Sequence, residues 1–470
     1  MPKFILSLVD LNGPKVIFTA NQFAAVCIMV LSASLPSFAS VHRQDSVSSV
    51  LTLAPGSEVT AVSPEGYFSE PSIAVNYRNP KQIVVVYQRN VSAAYSSDGG
   101  RHWTSSSGLA VPSYRVSGDV SVAYDNEGHA IMSCIAFDNL GTEDYWGHCA
   151  TRNGIFVKRS LDGGKRWEAK TVVVDSQGTV PGIPFEDKPY IVADNTGGPF
   201  AGNLYIGWTE WRLTESVILF SRSTDDGVTW SRPVDISDVH GLPRDDNGGL
   251  EGFDGTVTPD GVLHVVWTNG GEIVYKASSD GGKTFTEDRA IMKTAPAMFK
   301  PSNVYRGNGF PQIASDDRGR MYITWSDYRN GDIDVFESHS SDSGEVWSRP
   351  VRVNDDPLHD GADQFMQWLA VDRATGDVYV IFYDRRMDPL NVRAWIVVAR
   401  STDGGKAFSN YLMSNSSFVP DGAFIGDYNG IAAFNGRVYG AWTEQVPRIE
   451  FKRDDATVVK VGVADFNEIK

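Results

Sequence analysis

The chain has 470 residues, with 42 Lys and Arg against 58 Asp and Glu, a formal net charge of −16. So acidic a chain is unsuited to phosphate backbones, which need clustered Lys and Arg, and no nucleic-acid partner is expected. A hydrophobic fraction of 41% with 21% charged residues excludes wholesale disorder, and 45 glycines imply many tight turns around a large core.

In chain order, the first feature is an uncharged apolar run, Phe23 to Leu35, followed by the small-x-small sequence Ser37-Phe38-Ala39. The run is short for a bilayer span and reads as a signal peptide over residues 1–39. Residues 40–470 then form a single domain, secreted or periplasmic, with no later segment able to span a membrane.

Beyond the leader, the chain reads as short antiparallel strands separated by Gly, Asn and Pro turns. Each unit opens with a strand such as Ser72-Ile73-Ala74-Val75 or Leu369-Ala370-Val371-Asp372. A second strand ends in an aromatic residue. There are seven of these: Tyr87, Phe137, Trp208, Trp267, Trp325, Tyr383 and Trp442. An octapeptide, Ser-x-Asp-x-Gly-x-x-aromatic, then recurs six times, from Ser96, Ser160, Ser223, Ser278, Ser340 and Ser401, at intervals of 55 to 64 residues. Its Asp can accept backbone N–H groups of its own turn, its Gly tolerates positive φ, and its aromatic points back to the core. A fixed period of this size means stacked supersecondary units, and four short strands per unit repeated radially make an all-β propeller. Seven blades are favoured, with six blades and an extra hairpin as the alternative.

The last unit carries strands at Gly430 to Phe434, Arg437 to Trp442 and Thr457 to Val463, but no octapeptide. Its missing outer strand is assigned to Ser48 to Leu53 at the N-terminus, which joins the chain ends and removes an open edge. Two cysteines lie beyond the leader. Cys134 is in a second strand and Cys149 in the loop before the next strand, and an exported chain is expected to link them as a disulfide.

The octapeptide is the Asp box, and the chain resembles the sialidase-like Asp-box (BNR-repeat) propeller superfamily. The resemblance covers all the repeats. It implies that the boxes sit between third and fourth strands, on the face away from the active site. Sialidases grip a substrate carboxylate with three arginines and use an acidic acid/base and a Tyr nucleophile paired with Glu. Their Arg-Ile-Pro element is absent here.

The opposite face is built from entries to first strands and exits of second strands. The exits supply Gln88-Arg89, Asp138-Asn139, Thr209-Glu210, Ser326-Asp327, Asp384-Arg385 and Thr443-Glu444; Arg329 and Arg386 come shortly after. The entries supply Glu70, Asp119, Glu186-Asp187-Lys188, Asp254, Asp363-Gln364 and Asp427-Tyr428. Carboxylates, arginines and aromatic tips together suit an oligo- or polysaccharide. Asp187 is the expected general acid, with Tyr428 or Glu210 attacking or supporting attack. Arg89, Arg329, Arg385, Arg386 and Asp363 are expected to bind substrate, most naturally an acidic sugar. The leading reading is a monomeric, sialidase-like exo-glycosidase. A non-catalytic carbohydrate- or protein-binding propeller and a polysaccharide lyase are the alternatives. Eight scattered histidines, with no phosphate loop or Gly-x-Ser-x-Gly elbow, leave no metal or cofactor to expect.

Overall fold

The computed structural model describes residues 51–468, except 107–108, 110, 142–148, 179–181, 244–247, 297–300 and 448–455. The leader-like segment and the domain boundary at residue 40 lie outside the described residues.

The period of the sequence becomes seven antiparallel blades. Blade 1 is Ser69–Val75, Ile83–Gln88, Ser92–Ser96 and Thr104–Ser106. Blade 2 is Val116–Tyr124, Ala130–Phe137, Arg152–Ser160 and Val172–Gly178. Blade 3 is Phe185–Ala193, Leu204–Trp211, Ser216–Ser223 and Val234–Asp235. Blade 4 is Glu251–Val257, Leu263–Thr268, Glu272–Ser278 and Arg289–Lys293. Blade 5 is Gln312–Ser315, Met321–Asp327, Asp334–Ser340 and Val351–Arg352. Blade 6 is Gln364–Val371, Val378–Asp384, Trp395–Ser401 and Ser409–Leu412. Blade 7 joins Gly430–Phe434, Arg437–Gln445 and Thr457–Asp465 to an N-terminal strand.

That N-terminal strand is Glu58–Ala61, not the expected Ser48 to Leu53. It runs antiparallel to Thr457–Asp465, with Glu58 opposite Val463 and Ala61 opposite Lys460. Thr52–Leu53 instead lies parallel to Tyr411 and Leu412 as a fifth strand on blade 6. A turn at Pro55-Gly56 (φ of Gly56 58°), closed by the Ser57 N–H on Ala54 O, carries the chain from one blade to the next.

The seven second-strand aromatics are all fully buried and pack between neighbouring blades. They are the widest side chains of the middle strands, which suits them to the gap between two twisted sheets. The innermost strands have no sheet neighbour on their channel side, and side chains stitch them from blade to blade. Ser72 Oγ accepts the Val122 N–H (3.1 Å), Ser121 Oγ the Ile191 N–H (3.1 Å) and Asp254 Oδ2 the Ile313 N–H (2.9 Å).

The six octapeptides are the turns between third and fourth strands. In the first, the Ser96 hydroxyl donates to Asp98 Oδ1 at 2.9 Å, and the N–H groups of Gly100 and His102 donate to Ser96 Oγ and Asp98 Oδ1. The pattern recurs at Asp162, Asp225, Asp280, Asp342 and Asp403. The glycine is required twice over in the fifth copy. Gly344 has φ 83°, and a Cβ there would stand 2.4 Å from the Tyr275 hydroxyl of blade 4.

The cysteine expectation is corrected: Cys134 and Cys149 are both free. Cys134 pairs in register with Phe156 and is buried among Val84, Val86 and Met132. Cys149 is exposed and precedes the third strand, whose Asn153 already faces Phe137 at the far end of the ladder. The ladder therefore separates the two thiols along the strand.

Candidate active site

One backbone feature repeats at the entry face. The first strands of blades 1, 2, 3, 4 and 6 each carry a one-residue bulge, where three residues span two of the partner strand. Within each bulge one residue is left-handed: Glu70 (φ 53°), Asp119 (43°), Lys188 (50°), Gly252 (70°) and Met366 (50°). For a residue with a Cβ this conformation costs on the order of 1 kcal/mol or more. Glu70 and Lys188 also precede prolines, which favour extended backbone before them. In blades 1, 2 and 3 the strained residue is charged, and the three side chains meet.

Lys188 Nζ lies 3.2 Å from Asp427 Oδ2, 3.8 Å from Asp187 Oδ2 and 3.9 Å from Glu251 Oε2. Arg306, from the segment entering blade 5, forks onto Asp427 at 2.6 and 2.5 Å. The backbone N–H of Asp427 donates to Glu70 Oε1 at 3.2 Å. The Asp119 carboxyl lies against those of Glu70 and Asp187. Asp187 Oδ2 also accepts the Trp211 indole N–H at 2.9 Å. Tyr428, buried beside these groups, donates to Val120 O at 3.4 Å. Its ring tilts against Trp368 (5.6 Å between centroids), which in turn meets Tyr190 (5.6 Å).

Crowded, desolvated carboxyls hold their protons. Burial, and then the nearby Asp427, push Glu70 up to about 7. Burial, followed by Glu70 and Asp187, holds Asp119 well above the usual carboxylate range. The Tyr428 phenol is likewise raised, by burial first and then by Glu70 and Asp119. Beyond the bulges Asp254 is fully enclosed and rises to about 8 through burial, although the N–H groups of Ile313 and Gly255 donate to it. There the inner strands line a partly open cavity of about 210 Å³ whose lining includes Tyr190, Asp254 and Arg373. Arg373 reaches Asp317 (2.8 Å) and Asn195 O (3.3 Å), tying together turns on the octapeptide face.

Of the residues singled out from sequence, Asp187 and Tyr428 share this centre. Glu210 lies in a neighbouring group. It stands directly opposite Glu186 in the ladder, and Gln177 bridges the two carboxyls with its amide. Asp175, Glu186 and Glu210 approach within 4.8 Å, near enough to hold a metal ion. The Gln177 amide, the Trp208 indole N–H and Arg212 already occupy much of that space. The arginines are engaged elsewhere. Arg329 forks onto Asp327 and stacks on Phe336 (4.4 Å). Arg385 is fully buried, holds the carbonyls of Asn391 and Ser302, and lies 4.0 Å from Asp363. Arg386 is enclosed by Asp384, Asp355 and Asp356. Arg89 covers the Tyr67 ring at 5.2 Å.

Glu70, Asp119 and Asp427 belong to the ring of strand entries that the sequence marks, but only Asp427, a carboxylate beside the Tyr428 phenol and bracketed by glycines, is set apart within it. Glu251 and Arg306 fall outside that reading altogether. Equivalence to Lys188 at the start of a bulge would have marked Glu70 and Asp119. No sequence signal marks Arg306, which comes from a connecting segment.

No protein-family model and no curated protein matches the chain. Solved structures do. The phage phi92 endosialidase aligns with a TM-score of 0.51 and 11% identity, over 87% of this chain and 69% of that one. The leech intramolecular trans-sialidase gives 0.46 and 12%, over 76% and 69%. The Fusarium graminearum GH93 α-L-arabinofuranosidase gives 0.48 and 14%, over 76% and 96%. At such identities the likeness is one of architecture: the chain has the sialidase-like β-propeller fold.

Proposed function

We propose that the chain is an exported glycoside hydrolase whose catalytic centre is the cluster around Asp119, Asp187 and Tyr428. The observation that carries the reading is the meeting of carboxyls from blades 1, 2 and 3 with a phenol at the entry to blade 7, on strained backbone. Glycoside hydrolysis needs one carboxyl that gives a proton to the leaving oxygen and a second group on the reacting carbon. Asp119 suits the first task, because burial and its neighbours Glu70 and Asp187 hold its carboxyl well above the usual carboxylate range and so favour the protonated form. Asp187, held by the Trp211 indole and facing Lys188, suits the second. Tyr428 lies within the field of both and is the alternative nucleophile. Trp211 offers a face for a sugar ring. The proton therefore belongs to Asp119 in this reading, and Asp187 acts as its partner.

The test is kinetic. Asp119→Asn and Asp187→Asn should each lower turnover by about a hundredfold or more without lowering the melting temperature. The loss in Asp119→Asn should shrink on aryl glycosides whose leaving group needs no proton, while the loss in Asp187→Asn should not. Equal losses on good and poor leaving groups would remove Asp119 from the role of acid. Glycan binding by the wild type with no turnover would leave a binding propeller.

A further inference from the structure

We infer that this centre takes a neutral sugar, not the acidic one that the arginine-rich sequence suggests; this rests on the hydrolase reading above. Recognition of a sugar carboxylate needs guanidinium forks or ammonium groups turned toward the ligand. Among the described residues two cations reach the centre, Lys188 and Arg306. Both meet Asp427, Lys188 at 3.2 Å and Arg306 through two bonds. Lys188 also lies within 4 Å of Asp187 and Glu251. Even with Glu70 and Asp119 set aside, three carboxyls, Asp187, Glu251 and Asp427, face two cations. A bound carboxylate would add a fourth negative group where the dielectric is low. Of the four arginines that the sequence offered as a clamp, Arg329 forks onto Asp327, Arg385 holds the Ser302 and Asn391 carbonyls, and Arg386 is enclosed by Asp384, Asp355 and Asp356, while the exposed Arg89 lies over the Tyr67 ring.

A neutral sugar meets the opposite situation, because hydroxyl groups donate to carboxyl oxygens. Glu70 Oε2 is buried and meets no N–H or hydroxyl group; its carboxyl lies against that of Asp119. A sugar hydroxyl both donates and accepts, so it can satisfy this oxygen whether Glu70 is ionised or carries its proton there. It would also leave the Asp427 pairings intact.

The full-length protein can be assayed on two sets of 4-methylumbelliferyl glycosides. One set carries neutral sugars (arabinofuranose, galactose, glucose, mannose and fucose) and the other carries N-acetylneuraminic and glucuronic acids. Calorimetric titration with neutral oligosaccharides and with sialyllactose runs alongside. The expected result is turnover of at least one neutral glycoside with kcat/KM about a hundredfold above either acidic one, the scale of a buried like-charge clash. Comparable or better turnover of an acidic glycoside would overturn the inference and leave the hydrolase reading standing. Binding of neutral sugars alone, without turnover, would uphold the inference and overturn the hydrolase reading. Neither turnover nor binding on any probe would overturn both.

Discussion

A carboxyl in a protein interior keeps its proton unless enough positive charge compensates for lost water. At Glu70 the attraction of Lys188 and Arg306 is outweighed by burial, which leaves the group titrating at about 7. In the unfolded chain it titrates near 4.5. Between those values the unfolded chain holds fewer protons than the folded one, so stability falls as pH rises and levels off above about 7. At about 1.4 kcal/mol per pKa unit, the loss across that window is at most about 3.5 kcal/mol. Glu70→Gln keeps an acceptor for the Asp427 N–H and cannot ionise. Calorimetry should find the variant and the wild type melting together at pH 5, with the variant about 2–5 °C higher at pH 8. A difference that stays constant with pH would mean that Glu70 ionises in the folded protein as it does in water. The same reasoning gives Asp254 a share of the slope, extending it to about pH 8.

Among the elements, the octapeptide turn is the most self-contained, and its chemistry is separable from the site. Four-stranded antiparallel blades put these turns at the end opposite the strand entries. Asp225 accepts the Ser223 hydroxyl at 2.8 Å, the Thr229 N–H at 2.9 Å and the Thr229 hydroxyl at 2.6 Å. Asp225→Ala should cost about 1 kcal/mol per lost bond, up to about 3 where a donor is stranded. Thermal melts should drop while turnover per folded molecule stays unchanged; a stable variant without activity would place function on that face. Such turns were legible because the hydrogen-bond partners of their aspartates lie within the octapeptide itself, and the buried aromatics because burial selects for residue type. The bulges were not legible. Glu70, Asp119, Lys188, Gly252 and Met366 share a backbone conformation and no side-chain chemistry. Arg385 was illegible for a related reason. The partners of Arg385, Ser302 and Asn391, sit in two separate loops, so a cation that reads as a substrate clamp serves to hold loop carbonyls. Composition at the strand ends located the face and left its occupants undetermined.

For the molecule as a whole, the seam of the ring and the centre of the site are one place. Blade 7 is completed by Glu58–Ala61 from the N-terminal side, so the circle is closed by backbone hydrogen bonds between distant parts of the chain. Across the same seam, Asp427 and Tyr428 at the entry to blade 7 face Glu70 in blade 1. The Asp427 N–H bonds Glu70, and Gly426 packs so closely that a Cβ there would lie 2.6 Å from Glu70 Cγ. Removing residues 51–62 would strip the outer strand from Thr457–Asp465 and expose its edge from Lys460 to Val463, a template for aggregation. The remaining contact between blades 7 and 1 would then have to hold unaided against the entropy of an open ring. A chain beginning at Ser63 should therefore lose activity at lower urea than it loses tryptophan burial, because a small opening at the seam separates Glu70 from Asp427 before any blade unfolds. In the intact chain the two transitions should coincide. Activity and fluorescence, followed through one urea titration of each protein, decide the matter. Coincident loss in the truncated chain would mean that the inner strands alone keep the ring shut and that the N-terminal strand serves stability without gating the site.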